Sequence, residues 1–367
     1  MKVEYNYLKE EFKKNKKIFS EWKNLIKSTD FTLGRYVDKF EKKFAKFVGA
    51  KYCISTNNGT DALILGLKAL NIKKGDEVIT VCNSFYATTG AIVSVGATPI
   101  FVDCDIRYQI DIDEIKKKIN AKTKAIIPVH WGGASPDMHR IVKIAKKNKI
   151  KILEDACMGI GGNVEGKHPG TFGDIGAFSM HPLKSLNVMG DGGAVVTNNK
   201  KIYEWMKFYR NHGMINRDEI IMWGVNCRMQ PLQAIVALEG LKKLNKNLKI
   251  RENNAIFLDS ELSKLNKFIK LPLRPKAYKE TFALYMILCE RRDLLKKFLQ
   301  QNRIETKIHY PIPLHKQKAY TKIFGKINMK NSDYQADRLL TIPVHQFLSK
   351  NQLKYIISKI KQFYKNY

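Results

Sequence analysis

The chain has 367 residues, enough for two domains, and its 44% apolar fraction is that of a folded protein rather than a disordered one. No apolar run approaches the roughly 18 residues that cross a bilayer, and Met1-Lys-Val-Glu-Tyr5 has no apolar leader, so a cytoplasmic protein with no membrane partner is expected. The formal charge of +31 raises nucleic-acid binding, but the basic residues lie in scattered groups such as Lys116-Lys117-Lys118 with no Arg-rich tract, so a solvated surface attractive to phosphorylated small molecules, and no nucleic-acid partner, is expected.

From about residue 50 to 200, β-branched runs alternate with helical patterns. In chain order these are an apolar helix over 62–70, strand-like runs at 77–81, 91–95 and 98–102, an amphipathic stretch at 112–119, a strand at 125–129 and a helix at 138–148. A strand at 151–153 ends in Glu154-Asp155, and two more follow at 175–179 and 193–197, with Lys184 in their connection. This alternation predicts βαβ units and an α/β fold with a mainly parallel central sheet flanked by helices. A helix over 229–245, with Pro231 in its first turn, closes a large domain of residues 1–245 that begins with an N-terminal helical arm. Helix patterns at 252–264, 291–302 and 350–364, around a strand at 285–288, predict a smaller α+β domain over 246–367. The six cysteines include no Cys-x-x-Cys pair and read as buried, reduced thiols.

Two residues point to chemistry. Asp155 follows a buried strand, at the carboxyl end where ligands of parallel sheets gather, although a lone carboxylate there also serves as a helix cap. Lys184 stands in Gly176–Gly190, a segment with no other Lys, Arg, Asp or Glu, and such isolation predicts a desolvated amine of lowered pKa. Pyridoxal phosphate needs both types, a lysine for covalent attachment and an acid for its pyridine nitrogen. Its phosphate needs a cradle, and Asn57-Asn-Gly-Thr-Asp61 opens a helix whose free N–H groups suit an anion, or is simply a helix cap by Asn58 or Thr60. Ser179 could add a hydroxyl, and Phe85 could stack on the ring. Gly159-Ile-Gly-Gly162 hints at a dinucleotide site, but the residues after it do not open a helix as that motif requires.

The order of motifs resembles the DegT/StrS family of sugar-nucleotide aminotransferases, of the fold type I pyridoxal-phosphate class. The resemblance runs through Asn58-Gly-Thr-Asp-Ala-Leu63, Ser84-Phe-Tyr-Ala-Thr88, Leu153-Glu-Asp-Ala156, Gly173-Asp-Ile-Gly-Ala-Phe-Ser179, Lys184, Gly190-Asp-Gly-Gly193, Gly224-Val-Asn-Cys-Arg-Met229 and His309-Tyr-Pro-Ile-Pro-Leu-His315. It implies that Lys184 holds the cofactor, that Asp155 pairs with the pyridine nitrogen, that Gly59, Thr60 and Ser179 hold the phosphate, and that Phe85 covers the ring. It also implies that Asn226 reaches the phosphate of a neighbouring subunit in a homodimer with shared sites, and that Tyr310 and His315 lie near the sugar. The chain departs from the family at Met158, where Gln or His is common over the cofactor, at Asn58, where Ser is common, and at Met180-His-Pro-Leu183, where His181 is either a substrate contact or part of a turn. No metal enters this reading. The implied reaction moves an amino group, from glutamate with release of 2-oxoglutarate, to the keto group of a nucleotide-linked sugar through the pyridoxamine form of the cofactor. Ser185-Leu-Asn-Val-Met-Gly-Asp-Gly-Gly193 is more similar to members that aminate C3 of a 6-deoxyhexose than to those acting at C4. Relatives that dehydrate sugars carry histidine in place of the lysine, so Lys184 argues for transamination.

Overall fold

The computed structural model of the protein describes residues 1–365. Its centre is a seven-stranded sheet, in spatial order Tyr52–Thr56, Gly193–Thr197, Ile175–Ser179, Lys151–Asp155, Thr123–Ile127, Glu77–Val81 and Thr98–Val102. Five neighbouring strands, from Ile175–Ser179 to Thr98–Val102, run parallel, while Gly193–Thr197 is antiparallel to both of its neighbours. Helices cover both faces, and the strands therefore bury residues on both sides. Side-chain alternation divides them: Ile54, Ile175 and Ala177 pack under the helix Gly59–Ala69, whereas Cys53 and Phe178 face the helix Gly34–Val48.

Helix Gly59–Ala69 lies flush on the sheet because it has glycine on the contact side. A Cβ on Gly66 would stand 2.7 Å from Leu153 Cδ1, and one on Gly59 would stand 2.6 Å from Ser179 Cβ. The helix starts where Asn58 accepts the Asp61 N–H on its side chain at 2.8 Å, a capping bond of about 1 kcal/mol.

Two expectations need correction. The run at 91–95 is not a strand; it falls in the helix Tyr86–Ser94 and its C-cap. A short apolar run has no period long enough to separate the two structures, and the contact with helix Gly59–Ala69 decides it. The helix patterns at 229–245 and 252–264 are one continuous helix, Pro231–Leu262. Its first part buries Ala234, Ile235, Leu244 and Leu248 against the helical layer beside the large sheet. Its last part buries Ala255, Leu258 and Leu262 with Tyr285, Ile287 and Ile356, around a three-stranded antiparallel sheet of Leu339–Ile342, Tyr285–Cys289 and Ile269–Lys270. The chain begins with the helices Leu8–Glu11, Lys16–Ser28 and Gly34–Val48. The cysteines are all free, and among the described residues no helix is long and apolar enough to cross a membrane.

Candidate active site

The carboxyl ends of Tyr52–Thr56, Glu77–Val81 and Lys151–Asp155 open into a cavity of about 310 Å³. It is lined by Gly59, Thr60, Phe85, Asp155, Met158, Ser179, His181, Lys184 and Tyr310, nine of the eleven residues singled out from the sequence.

Asp155 ends its strand 5% exposed. Its Oδ2 accepts from Thr88 Oγ1 at 2.7 Å and its Oδ1 from the Cys157 N–H at 3.2 Å. Because the Thr88 proton is committed to Asp155, the Ser84 hydroxyl, 2.8 Å away, donates to Thr88. The chain Ser84–Thr88–Asp155 thus aims one carboxylate at the cavity and holds it there. The neighbouring Glu154 points the other way and is consumed by structure, accepting from the N–H groups of Gly170, Phe172 and Gly173 and facing His130.

Lys184 sits in the connection 180–192. Its N–H donates to His181 O at 2.8 Å, and its carbonyl accepts from Asn187 Nδ2 at 3.2 Å and from the Tyr7 hydroxyl at 3.1 Å. Burial lowers the pKa of its amine below the ordinary 10.5, with Cys157 and Asp155 pulling the other way. The His181 carbonyl closes the turn to Lys184, and the exposed residue also lines the cavity.

At the other end, the backbone N–H groups of Gly59 and Thr60 take no partner among the described residues, since Asn58 caps only Asp61. Both residues line the cavity with the Ser179 hydroxyl, so a helix N-terminus and a hydroxyl converge there. Phe85, 41% exposed, forms the rim with Tyr86 and Tyr310, whose ring centroids lie 4.2 Å and 6.0 Å from its own. The site can therefore take a carbonyl at the amine, a cationic nitrogen at Asp155, a phosphate at Gly59–Thr60–Ser179 and a flat ring beneath Phe85.

Two singled-out residues stand apart. His315 is 1% exposed and turned inward, with Nε2 on Asp333 Oδ1 at 3.1 Å, and it does not line the cavity. Asn226 is exposed, accepts from Arg228 Nε at 3.1 Å, and lies outside the cavity of its own chain. Sequence reasoning passed over Tyr5, Tyr7, Trp131, Arg251 and His309, which also line it. His309 and Trp131 were within reach, because His309 adjoins Tyr310 in a quoted motif and Trp131 lies in the family-like run Pro128-Val-His-Trp-Gly132; Tyr5, Tyr7 and Arg251 carry no local pattern. Gly159–Gly162 forms turns packed against Pro169 and Leu248 and opens no helix.

Residues 13–361 match the DegT/DnrJ/EryC1/StrS aminotransferase family. The chain belongs to that family. Among relatives of this DegT/DnrJ/EryC1/StrS member, the dTDP-3-amino-3,6-dideoxy-alpha-D-galactopyranose transaminase of Aneurinibacillus thermoaerophilus is 36% identical over 95% of either chain. The UDP-4-amino-4,6-dideoxy-N-acetyl-beta-L-altrosamine transaminase of Campylobacter jejuni is 33% identical over 92% of this chain and 94% of its own. The crystal structure of ntda from Bacillus subtilis with bound cofactor PMP superposes with a TM-score of 0.89 at 30% identity, covering 95% of this chain and 81% of that one. The fold expected for a DegT/DnrJ/EryC1/StrS aminotransferase, a large mainly parallel sheet between helices, is the fold observed.

Proposed function

We propose that this aminotransferase uses pyridoxal phosphate to move an amino group from L-glutamate to C3 of a nucleotide-linked keto-6-deoxyhexose. The observation that carries the reading is the meeting of a desolvated lysine, Lys184, a buried carboxylate, Asp155, and a helix N-terminus in one cavity. The residues fit the cofactor: Lys184 would hold it covalently, Asp155 would bond its pyridine nitrogen, and Gly59, Thr60 and Ser179 would hold its phosphate. Phe85 and Met158 would lie against the ring. The bound cofactor supplies an electron sink for breaking a carbon–hydrogen bond.

The chain's own residues do the rest. The Lys184 amine would carry a proton to and from the reacting carbon, and burial, by lowering its pKa, favours the base form that this task needs. Thr88 keeps Asp155 oriented, and the Tyr7 and Asn187 bonds to the Lys184 carbonyl hold the lysine segment still while its side chain moves. Tyr310 and His181 line the same cavity, which supports reading them as contacts for the sugar. Support for C3 comes from the motif before Gly193 and from the 3-amino sugar relative; the 4-amino sugar relative keeps C4 as the second reading.

The purified protein should be yellow and should bleach with L-glutamate. Lys184→Ala should keep the wild-type melting temperature and lose turnover by about four orders of magnitude or more. Near-normal amination of a dTDP- or UDP-linked keto sugar by that variant would overturn the mechanism.

We further propose that two copies pair and that Asn226 completes the partner's phosphate site. The segment 214–226 supports this, because it carries Asn226 together with exposed Ile215, Ile220, Ile221 and Val225 and with Trp223, 88% exposed, an apolar patch that needs cover. Sedimentation should give a dimer, and Trp223→Asp should shift it toward monomer and weaken cofactor retention; a monomeric, fully active wild type would refute the pairing.

A further inference from the structure

Arg251, on the long helix, is 2% exposed and lines the cavity. Its Nε donates to Gln346 Oε1 at 2.8 Å, Nη1 to Phe282 O at 3.3 Å, and Nη2 to the Tyr7 hydroxyl at 2.8 Å. A guanidinium has five N–H donors, so one on each terminal nitrogen is uncommitted. None of the three acceptors is a carboxylate, and Glu11 is reached only through the Gln346 amide. The other two arginines buried to this degree each meet an acid directly, Arg210 on Glu41 and Arg292 beside Asp293 at 2.7 Å. A buried charge without a counter-ion is costly, and one on a cavity wall is best satisfied by an anion that enters the cavity.

The surroundings define that anion. Tyr5 lines the same cavity, and its hydroxyl has no hydrogen-bond partner among the described residues. Tyr7 links the guanidinium to the lysine segment, donating to the Lys184 main-chain carbonyl while it accepts from Arg251, so an anion at Arg251 lies in the same cavity as the reacting amine and is tied to its segment. Besides Lys184, the basic side chains left on the wall are three histidines: burial holds His309 and His345 at about 4 and therefore neutral, and burial, with Lys184 nearby, also lowers His181. The cofactor phosphate has its own cradle at Gly59, Thr60 and Ser179, none of which bonds Arg251. One permanent cation with a spare N–H on each terminal nitrogen matches one carboxylate, which a planar guanidinium holds bidentately.

We propose that Arg251, with the Tyr5 hydroxyl beside it, binds a carboxylate of the amino-acid donor. This rests on the aminotransferase reading above. It gives the site selectivity for amino acids over simple amines and explains why a charged side chain is buried in the middle of an otherwise structural helix.

The test titrates the yellow holoenzyme with 2-oxoglutarate, following binding by calorimetry and the visible band. Arg251→Lys should raise Kd about tenfold or more, while the visible band stays at its wild-type position. Unchanged affinity in that variant overturns the assignment. If Arg251→Lys does not fold or hold cofactor, Tyr5→Phe decides instead: a Kd raised several-fold supports the site, and an unchanged Kd rejects it. A wild-type protein with no visible band would sink the aminotransferase reading itself, a different failure from a yellow protein that binds 2-oxoglutarate without Arg251.

Discussion

At the scale of single residues, the site depends on how one carboxylate is held. Thr88 is fully buried and gives its only proton to Asp155. Thr88→Val keeps the shape and removes that bond, which should destabilise the fold by about 2 kcal/mol, because a buried charged acceptor loses a partner. A denaturant midpoint and the rate of cofactor loss measure it; a midpoint at the wild-type value would show that water replaces the hydroxyl. Lys184 and Asp155 were legible in the sequence because each stands out locally, one as a solitary charge among apolar residues and the other as an acid closing a strand. Arg251 was not, because it is one of 65 basic residues and its burial arises only when the N-terminal segment, Phe282 and Gln346 fold over it. His315 shows the reverse limit: a motif can name a residue without saying which way its ring turns, and here Asp333 turns it inward.

At the scale of elements, the phosphate cradle exists because one helix approaches the sheet closely. Gly59→Ala puts a Cβ 2.6 Å from Ser179 Cβ and 3.1 Å from its hydroxyl, so helix or serine must shift. The cost should be about 1–3 kcal/mol, with cofactor affinity down about tenfold by equilibrium dialysis. Gly90→Ala is the contrasting case. Gly90 lies inside Tyr86–Ser94 with nothing within 4 Å of the added carbon, and the substitution should stabilise by about 0.5–1 kcal/mol in the same melts. If Gly59→Ala proved as harmless as Gly90→Ala, the close-approach argument would fail. Most strands and helices were readable from periodicity and length. The Tyr86–Ser94 helix was not, since Ala91-Ile-Val-Ser-Val95 is as β-prone as the true strands and only its neighbours make it helical.

At the scale of the whole molecule, buried neutral histidines tie stability to pH. Burial lowers His168, His309 and His345 to about 4 from an ordinary 6.5. The unfolded chain therefore binds more protons than the folded one between those values, so stability is full above pH 6.5 and falls as pH drops toward about 4. Urea midpoints across that window should decline, and His168→Gln, which keeps an acceptor for the Gly161 N–H, should make the decline shallower. A pH-independent midpoint would refute the claim. The layered α/β class was legible from strand–helix alternation, whereas the union of two helix patterns into one was not, because Lys246-Asn-Leu-Lys-Ile250 is too polar to look like a helix interior. That union has a practical consequence. Helix Pro231–Leu262 is a rod of roughly 48 Å, rooted at one end among the helices beside the large sheet and at the other among the C-terminal strands. A gene cut at residue 246 would sever the rod, strip apolar cover from both stumps and part Arg251 from Tyr7, so neither piece should be expected to stand as a folded fragment carrying half of the activity.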